Sequence, residues 1–371
     1  SGADASSNFN VNSTNGKVNI TSGGAVKLGT SGSDTVKLGN ISVSGSDFDY
    51  SGNDVKIDGN ITADNVNFTN INSFTQNANT TVTASTGNIV VDTVGNAILN
   101  GLLQATSGNV KVNASNITSN SSNAITASTI ELVAANSIGS EYSALNFTAT
   151  GSVNAQSGTG MNLNSASAVT FGDLLNTSSG NIKVSTGGNA QFAKVTNTNG
   201  NITISSTGSA ALSDKVQGVD VTFNTGDIIA SNANSLISGT NINLTSSGSV
   251  GSSSGAVAVE SANGINAAAN NGSIYLAGAG ATKFNNVSAK NAVELSTKAG
   301  NLETTGAISG GTVKITSAAD TVVNSTVKST GATEIISAGD LTINAATGTT
   351  AITSGSTANL SGINITQSGQ G

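Results

Sequence analysis

One short pattern of residues recurs along most of this chain, and that repeat limits what it can fold into more than any other feature. Residues 180–184 read Gly-Asn-Ile-Lys-Val, and residues 200–204 read Gly-Asn-Ile-Thr-Ile. The match continues to Phe192, which aligns with Leu212. Repeats this short, with alternating apolar and polar residues, cannot bury an apolar face alone and have to stack on their neighbours. The repeat therefore predicts a β-solenoid.

Short apolar runs that follow Gly-Asn or Gly-Asp recur at intervals near 20 residues. In these runs Val, Ile, Leu and Phe alternate with polar residues, and Gly, Asn, Ser and Asp stand at both ends of each run. This pattern is typical of half-buried strands between turns. Phe48 precedes Phe68 by 20 positions, so we expect aromatic side chains to stack inside the solenoid. Further copies begin at Gly39, Gly59, Gly87, Gly108, Gly300 and Gly339.

The spacing also predicts the organisation of the chain. We expect an all-β fold in which residues 1–371 form one continuous, elongated β-solenoid with rungs of about 20 residues, a rung being one turn of the solenoid. About 18 such rungs would account for the length of the chain. The interval from Gly200 to Gly226 is longer, and residues 219–223 are predicted to form a strand within it. No composition break marks a second domain.

The composition removes most of the side chains that active sites use. The chain has no Pro, Cys, His or Trp, and all 13 of its basic residues are lysine. Imidazole bases, thiolate nucleophiles, zinc–thiolate sites and arginine clamps for phosphate are therefore excluded. A net charge of −7 with scattered lysines offers no basic stripe for nucleic acid. We predict that the protein is not an enzyme, that it has no catalytic, cofactor-binding or metal-binding residues, and that it needs no cofactor.

Calcium binding is one alternative that the sequence leaves open. Residues 29–36 partly resemble a calcium-binding nonapeptide, and oxygen-rich loops of this kind can hold Ca²⁺. Tandem copies nine residues apart do not follow, and a lysine, Lys56, stands where a later copy would need an apolar residue. The densest acidic region lies close by and contains Asp47, Asp49, Asp54, Asp58 and Asp64.

Three further alternatives have weaker support. An active site built from Asp and Lys alone is conceivable, although most acids stand singly at turns, as Asp227 and Asp340 do. An ice-binding face would need regular columns of outward threonine, and such columns do not recur. Sequons such as Asn60-Ile61-Thr62 are abundant, but a chain this rich in Asn, Ser and Thr generates them by chance.

Lysines occupy outward positions in the predicted strands. In Val110-Lys111-Val112 the lysine lies between two inward apolar residues and has to point to solvent. We interpret these charges as a solvated face that keeps the protein in solution. Lys27, Lys37, Lys56, Lys183 and Lys314 stand in the same setting.

The Gly-Asn-Ile-x-Val rungs resemble the repeat region of filamentous haemagglutinin and the high-molecular-weight adhesins, bacterial proteins exported by two-partner secretion, and of autotransporter passengers. The resemblance covers nearly the whole chain. It implies a right-handed parallel β-helix displayed outside the cell, and it carries over no specific functional residue. The proline-containing secretion motif and the membrane barrel of these systems are not found. We expect either a mature middle section or a separate protein of the same architecture.

Two functions follow as expectations. The first is a non-enzymatic bacterial extracellular surface protein, an adhesin or rigid stalk, whose partner is a protein or glycan of a host or neighbouring cell. The second is a self-assembling subunit of a fibre, sheath or surface layer, since open strand edges at a solenoid end need caps or pair with another copy. The strand-like residues 362–366 suit such pairing. No run of about 20 apolar residues occurs, so this segment is not expected to insert into a membrane.

Overall fold

The computed structural model describes residues 8–10, 16–29, 35–344, 346 and 348–368. Within these ranges the chain forms strands, turns and bends, without any helix, and neighbouring strands of successive rungs pair in parallel. About 16 rungs stack in this way, so the predicted all-β solenoid is confirmed with slightly fewer rungs than expected. No helix among the described residues has the length and hydropathy needed to cross a bilayer. The right-handed winding stays a prediction.

Contacts divide the chain into two units, residues 1–186 and residues 187–371. That residues 1–371 form a single domain stays a prediction. The strands of the first unit are β1 Asn8–Asn10, β2 Val18–Ser22, β3 Val26–Gly29, β4 Val36–Val43, β5 Phe48–Ser51, β6 Val55–Ile57, β7 Ile61–Ala63, β8 Val66–Ile71, β9 Phe74–Gln76, β10 Thr81–Ala84, β11 Ile89–Thr93, β12 Ala97–Leu99, β13 Leu102–Ala114, β14 Ile117–Thr118, β15 Ile125–Ala134, β16 Ser137–Ile138, β17 Leu145–Ala149, β18 Ser152–Ser157, β19 Gly160–Ser165, β20 Val169–Asn176 and β21 Ile182–Thr186.

The second unit has a further set of short strands. They are β22 Ala190–Asn197, β23 Ile202–Ser206, β24 Ala210–Leu212, β25 Lys215–Gly218, β26 Asp220–Thr225, β27 Ile228–Ala230, β28 Leu236–Ser246, β29 Val257–Ala269, β30 Ile274–Gly278, β31 Thr282–Ala289, β32 Ala292–Thr297, β33 Leu302–Thr304, β34 Ile308–Gly310, β35 Thr312–Ser317, β36 Thr321–Val323, β37 Val327–Ser329, β38 Thr333–Ser337, β39 Leu341–Asn344, β40 Ile352–Ser354, β41 Ala358–Ser361 and β42 Ile365–Ser368.

Inward side chains of successive rungs stack and fill the interior of the first unit. Tyr50 pairs in register with Phe68, and both are buried. The Phe68 ring centroid lies 6.0 Å from that of Phe48 and 5.0 Å from that of Phe74. The predicted aromatic stacking is therefore present, but the in-register partner of Phe48 is Val66, because this rung takes 18 residues instead of 20.

The repeat register appears again in the second unit. Phe192 pairs with Leu212, as the sequence alignment predicts. The predicted strand at residues 219–223 is present as β26, and its Val221 pairs with Ile202, so this rung takes 19 residues. The spacing to Gly226 was misleading because Gly226 continues the stack of Gly208, to whose carbonyl its N–H donates.

The rung formed by β40, β41 and β42 pairs on one side only among the described residues. Its apolar side chains Leu360, Ile363 and Ile365 are 36%, 76% and 50% exposed. In the rung beneath it Leu341 is fully buried. Among the described residues, nothing therefore covers the apolar side chains and outer strand edges of this rung.

Candidate interaction site

Asparagine side chains form columns of hydrogen bonds at the corners of the rungs. The Oδ1 atom of Asn65 accepts a hydrogen bond from the backbone N–H of Asn88 at 2.8 Å, and Oδ1 of Asn88 accepts one from Asn109 at the same distance. Each bond satisfies a corner N–H of the next rung. The same bond joins Asn40 to Asn19, Asn60 to Asn40 and Thr81 to Asn60.

The fold therefore explains why both glycine and asparagine recur in the Gly-Asn repeat. The asparagine, including the sequon residue Asn60, bonds to the neighbouring rung. The glycine is needed because the backbones of adjacent corners come very close. A Cβ atom on Gly108 would overlap the carbonyl oxygen of Gly87.

The second unit has a similar column, in which aspartate replaces asparagine at some of the corners. Asn301 Oδ1 accepts from the N–H of Asp320 at 3.2 Å, and Asp320 Oδ1 accepts from the N–H of Asp340 at 2.9 Å. Asp340 Oδ1 in turn accepts from the side-chain amide of Asn364 at 2.8 Å. A carboxylate that accepts backbone N–H groups is held in place by charge-assisted bonds. These acids therefore have a structural use within the fold.

The lysines point outward as predicted, but several are also paired with acids, which sequence analysis missed. Lys111 lies opposite Glu131 in register, with 2.8 Å between Nζ and Oε1. In the second unit Lys314 lies between Glu294 and Glu334. Its hydrogen bond to Glu334 and then the Glu334 charge raise the pKa of Lys314 above its usual 10.5. The sequence signal for these ion pairs is an acidic residue that follows the lysine by about the length of one rung.

The acidic region of residues 47–64 does not gather into one cluster. Asp49 Oδ1 accepts from Asn67 Nδ2 at 2.8 Å, and Asp54 accepts from Ser73 Oγ at 2.7 Å. Asp47 and Asp64 likewise bond to side chains of the next rung. Of the nonapeptide-like stretch, residues 30–34 lie outside the described residues. No group of three or more acidic side chains in the described ranges is placed to hold a metal ion.

In the first unit, a six-residue excursion, residues 139–144, departs from the stacked strands between β16 and β17. The next rung has no such insertion, because β19 pairs through Met161 with the residue before the excursion and through Leu163 with the residue after it. Asn162 alone therefore stands opposite residues 139–144. The extra residues have to project from the outer surface.

Hydrogen bonds fix the shape of this excursion. Asn162 Nδ2 donates to the carbonyl oxygen of Ser140 at 2.8 Å, and the Ser140 N–H donates to the carbonyl of Ser143 at 2.7 Å. Ser143 Oγ donates to the carbonyl of Ser119 in the preceding rung at 3.1 Å. Gly139, with φ of 68°, starts the excursion in the left-handed region that disfavours other residues. The loop is therefore built into the rungs on both sides.

The excursion carries an exposed aromatic ring, and its other residues Gly139, Ser140 and Glu141 line an open cavity with both polar and apolar walls. Tyr142 is 94% exposed, the highest value among the large apolar side chains of the described residues. Lys183, which pairs in register with Asn162, places its Nζ atom 3.9 Å from Glu141 Oε1. The cavity has a volume of about 180 Å³. Its lining includes Ser137, Glu141, Thr159, Met161, Asn162 and Lys183.

A second excursion of the same kind occurs in the second unit at residues 251–256. Gly251 again has φ of 68°, and the Ser252 N–H donates to the carbonyl of Gly255 at 3.0 Å. Residues 137–145 read SIGSEYSAL, and residues 249–257 read SVGSSSGAV. This match was available in the sequence and was missed, because the two copies are far more than one rung apart. Ser254 takes the place of Tyr142.

Comparison of the chain with family models, with curated proteins and with solved structures gave no match.

Proposed function

We propose that this protein is a non-enzymatic surface protein of a bacterium, an adhesin or its rigid stalk, which acts outside the cell and meets a protein or glycan of another cell. The observation that carries the proposal is the bonding between rungs. Within each unit, backbone ladders are supplemented at the corners by the side-chain columns of Asn and Asp. Each rung is thus bonded to the next at the strands and at the corners.

This bonding suits a protein that holds contact surfaces in fixed positions. In a solenoid each rung contacts only its neighbours, so stability is a sum of repeat terms and interface terms. The filled interior leaves little freedom for one rung to shift on another. Excursions such as residues 139–144 can then vary without disturbing the stack.

Surface labelling of the producing cells tests this proposal. Antibodies raised against the purified chain should label intact, unpermeabilised bacteria, and protease added outside the cells should remove the signal. A cytoplasmic enzyme of the same cells, probed in parallel, reports leakage. Labelling that appears only after the cells are broken open would overturn the proposal.

A second candidate function is a subunit that assembles into an extracellular fibre, sheath or layer. The exposed Leu360, Ile363 and Ile365 of the β40–β42 rung favour it, together with the unpaired edges of these strands. Electron microscopy of the purified protein at rising concentration should show ordered filaments or sheets, and Ile363→Asp should strongly reduce them. Isolated particles at every concentration would count against assembly, and unchanged order in the variant would exclude this rung as the contact.

A further inference from the structure

We propose that Tyr142 is an oxidative cross-linking site, at which a haem peroxidase with hydrogen peroxide joins two copies of this chain through a bond between their Tyr142 rings. The inference goes beyond the proposed function and does not depend on it, because it concerns the reactivity of one side chain. It also makes no use of the β40–β42 rung, so the expected product is a covalent pair of molecules and not a fibre.

The composition is the first argument, because it leaves few side chains that an oxidant can attack. Thiols, thioethers, indoles, imidazoles and phenols are the groups that oxidants attack most readily, and the chain has no Cys, Trp or His. It has one Met and three Tyr. Met161 is 3% exposed, so its sulfur is shielded from solvent. Oxidation therefore falls on the tyrosines.

Burial then separates the three tyrosines. Tyr50 is 1% exposed, and its ring packs against Phe68 with 6.3 Å between the ring centroids. Tyr275 lies in β30 and is partly buried. Tyr142 is 94% exposed. Two phenols couple through the ring carbons next to the phenol carbon, so these carbons of both rings have to touch. Of the three rings, that of Tyr142 is the one that a second molecule can meet face to face.

The excursion holds Tyr142 where two molecules can bring their rings together. Hydrogen bonds to Asn162 and Ser119 fix the excursion to the rungs on both sides, and its residues project from the outer surface. Glu141 is the only charged residue of the excursion, and its Oε1 atom lies 3.9 Å from Lys183 Nζ. The opposite charge offsets that of Glu141, so two excursions approach each other with little like-charge repulsion.

The reaction balances with hydrogen peroxide as the oxidant. Each phenol gives up one electron and one proton, so two phenols reduce one hydrogen peroxide molecule to two water molecules. The two phenoxyl radicals then form a carbon–carbon bond between their Cε atoms. The hydrogen on each coupled carbon moves to the phenol oxygen, which restores both aromatic rings. The product is two chains joined through dityrosine, with two hydrogen atoms fewer than the separate chains.

One exposed ring in each chain limits the product to a dimer. Coupling uses up the Tyr142 ring of both molecules, so the dimer has no further exposed tyrosine. The second excursion offers a matched position for testing this point. Its Ser254 is exposed and stands where the first excursion has Tyr142. Ser254→Tyr therefore adds a second reactive ring to the chain.

The test treats the full chain with a haem peroxidase and hydrogen peroxide and examines the products by denaturing electrophoresis, dityrosine fluorescence and mass spectrometry. We expect one new band, a dimer whose cross-linked peptide joins two copies of Tyr142. Tyr142→Phe should lose the dimer, whereas Tyr275→Phe should keep it. Ser254→Tyr should convert the dimer into a ladder of larger products. Combined with Tyr142→Phe, it should restore a dimer.

Several results would overturn the inference. They are a dimer that persists in Tyr142→Phe, a ladder from the unaltered chain, and no dimer from that chain under conditions that couple the free peptide of residues 139–144. Circular dichroism of each variant checks that the fold is kept, which is expected for exposed side chains. The surface labelling of intact cells is independent, so failure of the cross-link leaves the proposed function standing.

Discussion

Replacing Phe68 by alanine should be among the most damaging single changes in the first unit. The ring is fully buried and contacts three other aromatic rings, those of Phe48, Tyr50 and Phe74, at centroid distances of 6.0, 6.3 and 5.0 Å. Truncating a buried phenylalanine costs about 3–5 kcal/mol of unfolding free energy. Because aromatic pairs add to this, we expect Phe68→Ala to fall near the upper end of that range. Phe68→Leu refills part of the volume but also loses the ring contacts, so it should cost less than Phe68→Ala and more than an exposed-site change.

The assay is urea unfolding followed by tyrosine fluorescence and by circular dichroism. The chain has no tryptophan and only three tyrosines, and one of them, Tyr50, contacts the ring that is removed. Val94→Ala is a suitable control, since Val94 is 80% exposed and its loss should change stability by less than about 0.5 kcal/mol. A loss below about 1 kcal/mol for Phe68→Ala would refute the packing described here.

Three further changes test the ladders and the excursion. Asn88→Ala should cost about 1 kcal/mol in urea unfolding, because the Asn109 N–H loses its acceptor, whereas Asn88→Asp should keep most of the stability. Lys314→Met should cost less than about 1 kcal/mol. Since its pKa is raised in the folded state, the Lys314 contribution should be complete below pH 10.5 and lost as pH rises through the raised value, which thermal melts of both proteins across that range would show. Gly139→Ala should lower stability by at least about 1–2 kcal/mol in the same unfolding assay, because its φ of 68° strains an alanine and the added Cβ would lie 2.7 Å from the carbonyl oxygen of Asn162.

Much of the fold could be predicted, because the repeat indicates which residues of successive rungs lie opposite each other and which face outward. Alternation of apolar and polar residues placed Phe192 and Leu212 in register, and it placed Lys111 on the outside. The exact length of each rung could not be predicted in the same way. Corners accept Gly, Asn, Asp or Val at equivalent positions: Val219 stands over Gly200 at the corner that precedes β23, whereas Gly226 stands over Gly208 at the corner that follows it.

The candidate site was harder to predict than the fold. Asn162 bonds to the loop of the preceding rung, and Lys183 reaches Glu141 from two rungs away. Neither relation is visible until the register is known. The match between residues 137–145 and 249–257 was visible, but only a comparison at long separation would have found it. The exposure of Tyr142 follows from Asn162 standing alone opposite six residues.

The central claim is that successive rungs stack in the stated parallel register, and cysteine cross-linking tests it most directly because the chain has no cysteine of its own. Val90 and Lys111 are outward partners in β11 and β13, so their cysteine pair should be able to oxidise to a disulfide. Asn113, two residues further along β13, is the partner of Asp92. The pair at Val90 and Asn113 should stay reduced, because its Cα atoms lie beyond about 7 Å. Efficient cross-linking of that second pair, or none of the first, would contradict the register.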